Sequence, residues 1–158
     1  MKIGVISDTH GKINAEVLEL FSGVDQIWHA GDIGDVRVIS DLQTIAPVIA
    51  VYGNMDKYPI ISTFPHHQVI EIAAHKIYLT HEYLTENSRR LTGNDINFDL
   101  NFSMIVFGHT HVPFIERKRS VIYFNPGSAT NPRDRKKSSV GFISINKGGA
   151  IANEIKYF

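Results

Sequence analysis

Five times in this chain a short apolar run stops at a residue type that binds metal ions. KIGVIS runs into Asp8-Thr9-His10, QIWHA into Gly31-Asp32 and VIAVY into Gly53-Asn54. KIYLT runs into His81, and SMIVF into Gly108-His109-Thr110-His111. Short runs rich in Ile and Val read as buried strands. Between the first three lie amphipathic segments. Asn14 to Phe21 offers Val17, Leu18, Leu20 and Phe21 to a core, with Asn14 as N-cap. Asp35 can cap a second helix through about Ile45, with Val36, Ile39 and Leu42 inward. A strand–helix–strand–helix–strand series implies a parallel sheet with right-handed crossovers. Ligands of open α/β sheets gather beyond the carboxyl ends of the strands. The five endings are therefore expected at one edge.

The pattern changes after Asp56. Gln68–Ala73 and Lys76–Thr80 read as a hairpin, Leu84 to about Leu91 as a polar helix, and Gly93–Asn101 as a loop. Phe102–Phe107 reads as a buried strand. Val112–Arg117 pairs with Val121–Phe124, and Val140–Ile145 with Ala150–Tyr157 across Asn146-Lys147-Gly148-Gly149. The expectation is one α/β domain over residues 1–158, parallel first and antiparallel later, with two sheets face to face and helices outside. A chain of 158 residues is long enough to bury such a core.

Taken singly, each ending has a bland reading. Asp-x-His after a strand is often a turn or a cap, Gly-Asp and Gly-Asn are turn signals, and a lone His81 suits a strand end. Histidines at i and i+2 after a buried strand have less structural reason to exist. Together, Asp8, His10, Asp32, Asn54, His81, His109 and His111 supply seven ligand side chains, more than one ion uses. Two divalent ions about 3.5–4 Å apart, sharing one carboxylate, would use them. Imidazole suits Zn, Fe, Ni and Mn, and oxygen donors suit Mg and Mn.

Composition closes several alternatives. With 16 Lys plus Arg against 16 Asp plus Glu, the formal net charge is zero, so nothing global draws nucleic acid or a membrane surface. A nuclease of long polymers would show a broad basic track; a short oligonucleotide stays open. With no cysteine, thiolate nucleophiles and Cys-type zinc sites are excluded. MKIGVISDTH is too short an apolar run for a signal peptide, and no run approaches the roughly 18 residues of a membrane span. The expected compartment is the cytoplasm.

Six motifs in this order, SDTHG (7–11), HAGD (29–32), YGNMD (52–56), LTHEY (79–83), GHTH (108–111) and NPGS (125–128), resemble the calcineurin-like metallophosphoesterase superfamily, and within it the small YfcE-type phosphoesterases. The resemblance spans nearly the whole chain. It implies a four-layer α/β/β/α sandwich of two mixed sheets flanked by helices. It implies that Asp8, His10 and His111 hold one ion, that Asn54, His81 and His109 hold a second, and that Asp32 bridges, with Asp32, Asn54 and His109 as the catalytic set. Mn is the first choice of metal, with Ni, Fe, Zn or Mg as alternatives. The implied function is hydrolysis of small phosphate esters, diesters first, by a metal-bridging hydroxide. A phosphomonoesterase or protein phosphatase is the close alternative, and a non-catalytic binding scaffold of the same fold is the rival class. A homo-oligomer through exposed hairpin edges is compatible with the pattern.

Two positions depart from the family. Met55 stands where many members carry a His after the Asn, which leaves the general acid unnamed. His81-Glu82-Tyr83 replaces His-Gly-His, so Glu82 and Tyr83 are expected to shape substrate choice. Arg133, after the NPGS loop, is the candidate contact to a substrate phosphate, although the basic runs 117–119 and 133–137 also suit a solvated surface. His29 reads as a packing residue near the site, and His66, His67 and His75 as surface residues. Asp56 either orients a ligand or caps a turn.

Overall fold

The computed structural model describes residues 1–83, 101–133 and 137–158. The expected helix at Leu84–Leu91, the loop from Gly93 to residue 100, and positions 134–136 of the second basic run lie outside the described residues. Among the described residues no helix is long and apolar enough to cross a membrane.

Strands β1 (Lys2–Ile6), β2 (Gln26–Ala30) and β3 (Val48–Val51) pair in parallel, with helices α1 (Ala15–Leu20) and α2 (Val36–Gln43) as crossovers. The closing hairpin, β9 (Ser139–Ile145) and β10 (Ile151–Tyr157), adds to the other side of β1, giving the order β10-β9-β1-β2-β3. The second sheet holds β4 (His67–Ile72), β5 (His75–Thr80), β6 (Met104–Val106), β7 (Phe114–Lys118) and β8 (Val121–Asn125), ordered β4-β5-β6-β8-β7. Its three inner strands are parallel to one another. The later half is therefore not purely antiparallel: only the edge strands β4 and β7 run against their neighbours. Hairpins are visible in sequence through their turns, whereas the long connection that makes β5 and β6 parallel carries no local signal. A short helix, α3 (Ile60–Thr63), also went unforeseen.

Both caps form as the sequence requires. The Asn14 side chain accepts from Glu16 N–H, and Asp35 from Arg37 N–H. Helix α2 turns Val38, Ile39 and Leu42 inward, but Val36 is exposed. It lies about 200° around the helix from Val38, off the buried stripe.

Alternation along β1 shows the layering. Ile3 and Val5 join Trp28, Val51, Leu79, Met104, Ile122 and Phe124 between the sheets, while Ile6 faces Val17, Phe21 and Leu42 beneath the helices. Burial on both faces is what makes these strands unbroken apolar runs. On the outer face of the second sheet, Phe102, Ile105, Phe107 and Val121 form a third cluster, with Tyr78, Tyr83 and Tyr123 against it. Two mixed five-stranded sheets with helices outside form the expected α/β architecture.

Candidate metal centre

The strands do not simply stop at the polar residues; the backbone reverses there. Seven non-glycine residues among those described have left-handed φ. Two, Ala73 and Arg119, sit at hairpin turns. The other five are Asp8 (55°), His10 (47°), Asp32 (52°), His109 (70°) and His111 (60°). Each costs about 1–2 kcal/mol relative to the right-handed region. Cross-bracing between loops sustains them. Asp8 N–H donates to Gly31 O (3.0 Å), His10 N–H to Asp32 O (3.0 Å), and His109 N–H to Asp8 Oδ2 (3.2 Å). Such clustering of backbone strain is typical of functional sites.

All seven side chains converge. Asp8, His10, Asp32 and His111 each offer an atom, and these atoms lie within 4.8 Å of one another. Beside them, Asn54 Oδ1 is 3.1 Å from His81 Nε2 and 3.0 Å from His109 Nδ1. Asp32, only 3% exposed, faces both groups. Its Oδ2 lies 4.0 Å from His10 Nε2 and its Oδ1 3.4 Å from His81 Nε2.

The donor chemistry fits cations. His81 Nδ1–H donates to Ala30 O (2.7 Å), and His111 Nδ1–H to Asn131 O (2.6 Å). Both rings thus present a bare Nε2 inward, as metal-binding imidazoles do. His111 Nε2 faces Asp8 Oδ1 at 3.2 Å and His10 Nε2 at 3.3 Å. Asp8 Oδ1 is buried and has no hydrogen-bond donor among the described residues. Lone pairs face lone pairs in both halves, an arrangement that a proton or a cation must relieve.

Neighbouring charges and burial set how tightly these groups hold their protons. The Asp8 carboxylate, helped by the Asn131 carbonyl, raises His111 above the ordinary 6.5, against burial and Arg133. For His81, burial pulls the pKa down, but Asp32, Asp8 and the Ala30 carbonyl outweigh it, and the net shift is upward. Burial pushes Asp32 up, yet His81, the Met55 N–H and the charge of His10 bring it below its usual value. A cation seated on these two rings would have to displace protons that His81 and His111 hold more tightly than a free imidazole does. Affinity for Mn is expected to rise through that window and to level off beyond the raised values. Calorimetry in buffers of different ionisation enthalpy would read protons released on binding, more at pH about 6.5 than at about 8.5. Equal release at both would contradict the arrangement.

Several residues outside the seven brace the site, and of these Thr130 carried no sequence signal. Ser128 Oγ and Thr130 Oγ1 donate to Asp8 O at 2.9 and 3.0 Å, and Asn125 Nδ2 to Gly108 O at 2.7 Å. His29 is fully buried, and burial holds it down to about 3, so it is neutral. Its Nε2 meets Thr9 Oγ1 at 2.9 Å, and that hydroxyl donates on to Ile33 O, so the ring ties the β1 and β2 loops. Asp56 resolves into a clamp. Its carboxylate accepts from Ile33 N–H (3.0 Å), Gly34 N–H (2.7 Å) and Gly53 N–H (2.9 Å), and it touches no ligand side chain in these bonds.

The remaining candidates part company. Arg133 lines the 430 Å³ pocket over the centre together with His10, Asn54, His109 and His111. Lys12, which the sequence reading passed over, lines it too. Glu82 reaches 3.9 Å from His109 Nδ1. The Tyr83 ring instead packs on Phe107 and Tyr123, in the third apolar cluster. His66 and His67 are exposed as expected, whereas His75 is half-buried and bonds Gly149 O, a correction to its surface reading. The β4–β5 turn packs on the β9–β10 turn there, a contact no local pattern announces.

A two-sheet sandwich with this Asp/His/Asn edge defines a metal-dependent hydrolase of phosphoric esters. The profile of the calcineurin-like phosphoesterase superfamily domain matches residues 1–148. A probable metallophosphoesterase of Methanothermobacter thermautotrophicus is 36% identical over 138 residues, covering 84% of this chain and 80% of the relative. Phosphodiesterase YfcE of Escherichia coli is 33% identical over 180 aligned positions, covering 96% and 92%. The structure of the Escherichia coli phosphoesterase Yfce superimposes with a TM-score of 0.69 at 26% identity over 98% of each chain. The chain belongs to the calcineurin-like phosphoesterase superfamily.

Proposed function

We propose that this chain, acting as a single domain, hydrolyses small phosphoric diesters with two divalent ions, Mn first among them. Asp8, His10 and His111 would hold one ion, Asn54, His81 and His109 the other, and Asp32 both. The observation that carries the reading is the Asp32 carboxylate, one oxygen toward each group of ligands. When bound, such a pair supplies Lewis acidity that makes water a nucleophile near neutral pH and neutralises charge on phosphate oxygens. Asp8 and Asp32 contribute −2, so a loaded site keeps a positive balance in an otherwise neutral protein. Asn54 and His109, both exposed at the pocket, stand where a substrate oxygen would arrive. Met55 offers no proton there, so aryl esters are the better substrates.

One observation favours a second reading, a phosphomonoesterase. Lys12 and Arg133 line the pocket and would suit the extra charge of a monoester. Turnover of bis(4-nitrophenyl) phosphate and of 4-nitrophenyl phosphate by metal-stripped protein, with and without Mn, separates the two. The expected result is Mn-dependent cleavage of the diester that is lost in Asp32→Asn. No turnover of either ester by protein carrying two ions would sink the enzymatic reading.

A further inference from the structure

Beside the metal pocket lies a second groove of 420 Å³, and the two share one residue, Met55. The backbone of Met55 is tied into the centre, its N–H donating to Asp32 Oδ1 at 2.8 Å. Its side chain is 61% exposed and follows directly on Asn54. From there the groove continues along Tyr58, 81% exposed, with Pro59 and the exposed Val36. Of the charged groups on this wall, Asp35 is already engaged by Arg37 at 2.6 Å, and Lys57 remains. The pocket's cations, Lys12 and Arg133, do not line this groove.

We infer that Met55 and Tyr58 form a subsite for an apolar or aromatic arm of the substrate ester, running from the metal pocket into this groove. A diester has two arms, and the surroundings of the centre are chemically unlike. One stretch is cationic and polar, from Lys12, Thr130 and Arg133. The other presents the Met55 thioether and the Tyr58 ring, with Lys57 and the Arg37-paired Asp35 on its wall. Exposed apolar side chains contiguous with a reactive pocket bind ligands more often than isolated ones do. Methionine is soft and adapts to flat rings, and a tyrosine face stacks on them. In this account the residue at the position after Asn54 selects the arm of the ester. The inference rests on the diesterase reading above, and its test distinguishes the two.

Two esters with the same leaving group isolate the effect: methyl 4-nitrophenyl phosphate and 2-naphthylmethyl 4-nitrophenyl phosphate. The Mn-loaded protein is expected to prefer the naphthylmethyl ester in kcat/KM by at least about tenfold. Met55→Ala and Tyr58→Ala should each shrink that ratio. Binding gives a readout free of turnover. With methyl-labelled methionine, methyl(2-naphthylmethyl)phosphinate, which has P–C bonds in place of both ester bonds, should shift the Met55 methyl and leave that of buried Met104 in place. Equal kcat/KM for both esters, or a ratio untouched by both substitutions, overturns the subsite while leaving the diesterase reading intact. No turnover of either ester overturns both.

Discussion

Gly53→Ala is expected to lower kcat/KM by about a hundredfold and, on the two-ion reading proposed above, to weaken binding of both ions, although alanine is the mildest substitution available. A Cβ at position 53 would stand 2.7 Å from His81 Cδ2 and closer still to the backbone nitrogen and Oδ1 of Asp32. Because a backbone atom is among those struck, rotating a side chain does not relieve the overlap. Asp32 and His81 must shift, and a misplacement of about 1 Å at a reacting centre is enough for a loss of that size. Overpacking should also lower stability by about 1–3 kcal/mol. Gly23→Ala is the matched control. That glycine has φ of 80° but nothing within 4 Å of a new Cβ. It should lose about 1–2 kcal/mol of stability from backbone strain and keep its metal content and kcat/KM. The check is metal stoichiometry and aryl-diester turnover in both variants. A Gly53→Ala protein that binds two ions and turns over normally would refute the crowding argument.

The same glycine marks where sequence reading reached its limit. Gly31, Gly53 and Gly108 all read as turn signals. Only Gly31 of the three has left-handed φ. Gly53 and Gly108 are there for space: a Cβ at 108 would meet Ser7 Oγ and lie 2.9 Å from both Ala30 O and Asp8 Oδ2. Local propensity signals conformation, not what comes near in the fold. The converse holds for the left-handed residues. Asp8, His10, Asp32, His109 and His111 have side chains that disfavour that φ to differing degrees, and nothing in their sequence shows that the backbone reverses there. What was legible was periodic or chemical. Both N-caps, the parallel trio β1–β2–β3 and the closing hairpin followed from apolar spacing and turn chemistry. That the seven side chains would converge was legible because all of them lie at the ends of five apolar runs. The packing of Tyr83 on Phe107 and Tyr123 was not legible, because the segment after β5 meets those rings only through residues far along the chain. Lys12 went unnoticed for a similar reason: it joins Arg133 at the pocket only once the loops after β1 and β8 stand side by side.

Asp56→Ala is expected to cost about 3–5 kcal/mol of stability, a large part of the 5–15 kcal/mol that a domain commonly has. The carboxylate is 8% exposed and serves three backbone donors from two loops. Leaving a buried donor unpaired costs about 1–3 kcal/mol, less where water enters the space vacated. Asp56→Asn separates charge and geometry from bulk. In the native pairing one oxygen takes Ile33 and Gly53, and the other takes Gly34. An asparagine can keep the first two and must then turn its NH2 toward the Gly34 N–H, donor against donor. A loss of about 1–2 kcal/mol is expected, with the protein still folded. The consequence for the centre follows from which atoms are held. Ile33 adjoins Asp32, and Gly53 adjoins Asn54, so the clamp fixes the Asp32 carboxylate relative to the Asn54 amide. In Asp56→Asn, affinity for Mn should fall about 10–100-fold, as it does when groups that orient metal ligands are removed. Denaturant midpoints for the three proteins, with Mn titrations of the parent and of Asp56→Asn, provide the measurement. Stability lost in the order Asn then Ala, with weakened Mn binding in Asp56→Asn, is the expected pattern. A stable Asp56→Ala protein would show that water replaces the clamp without cost, and unchanged Mn affinity in Asp56→Asn would show that Asp32 and Asn54 are held by other contacts.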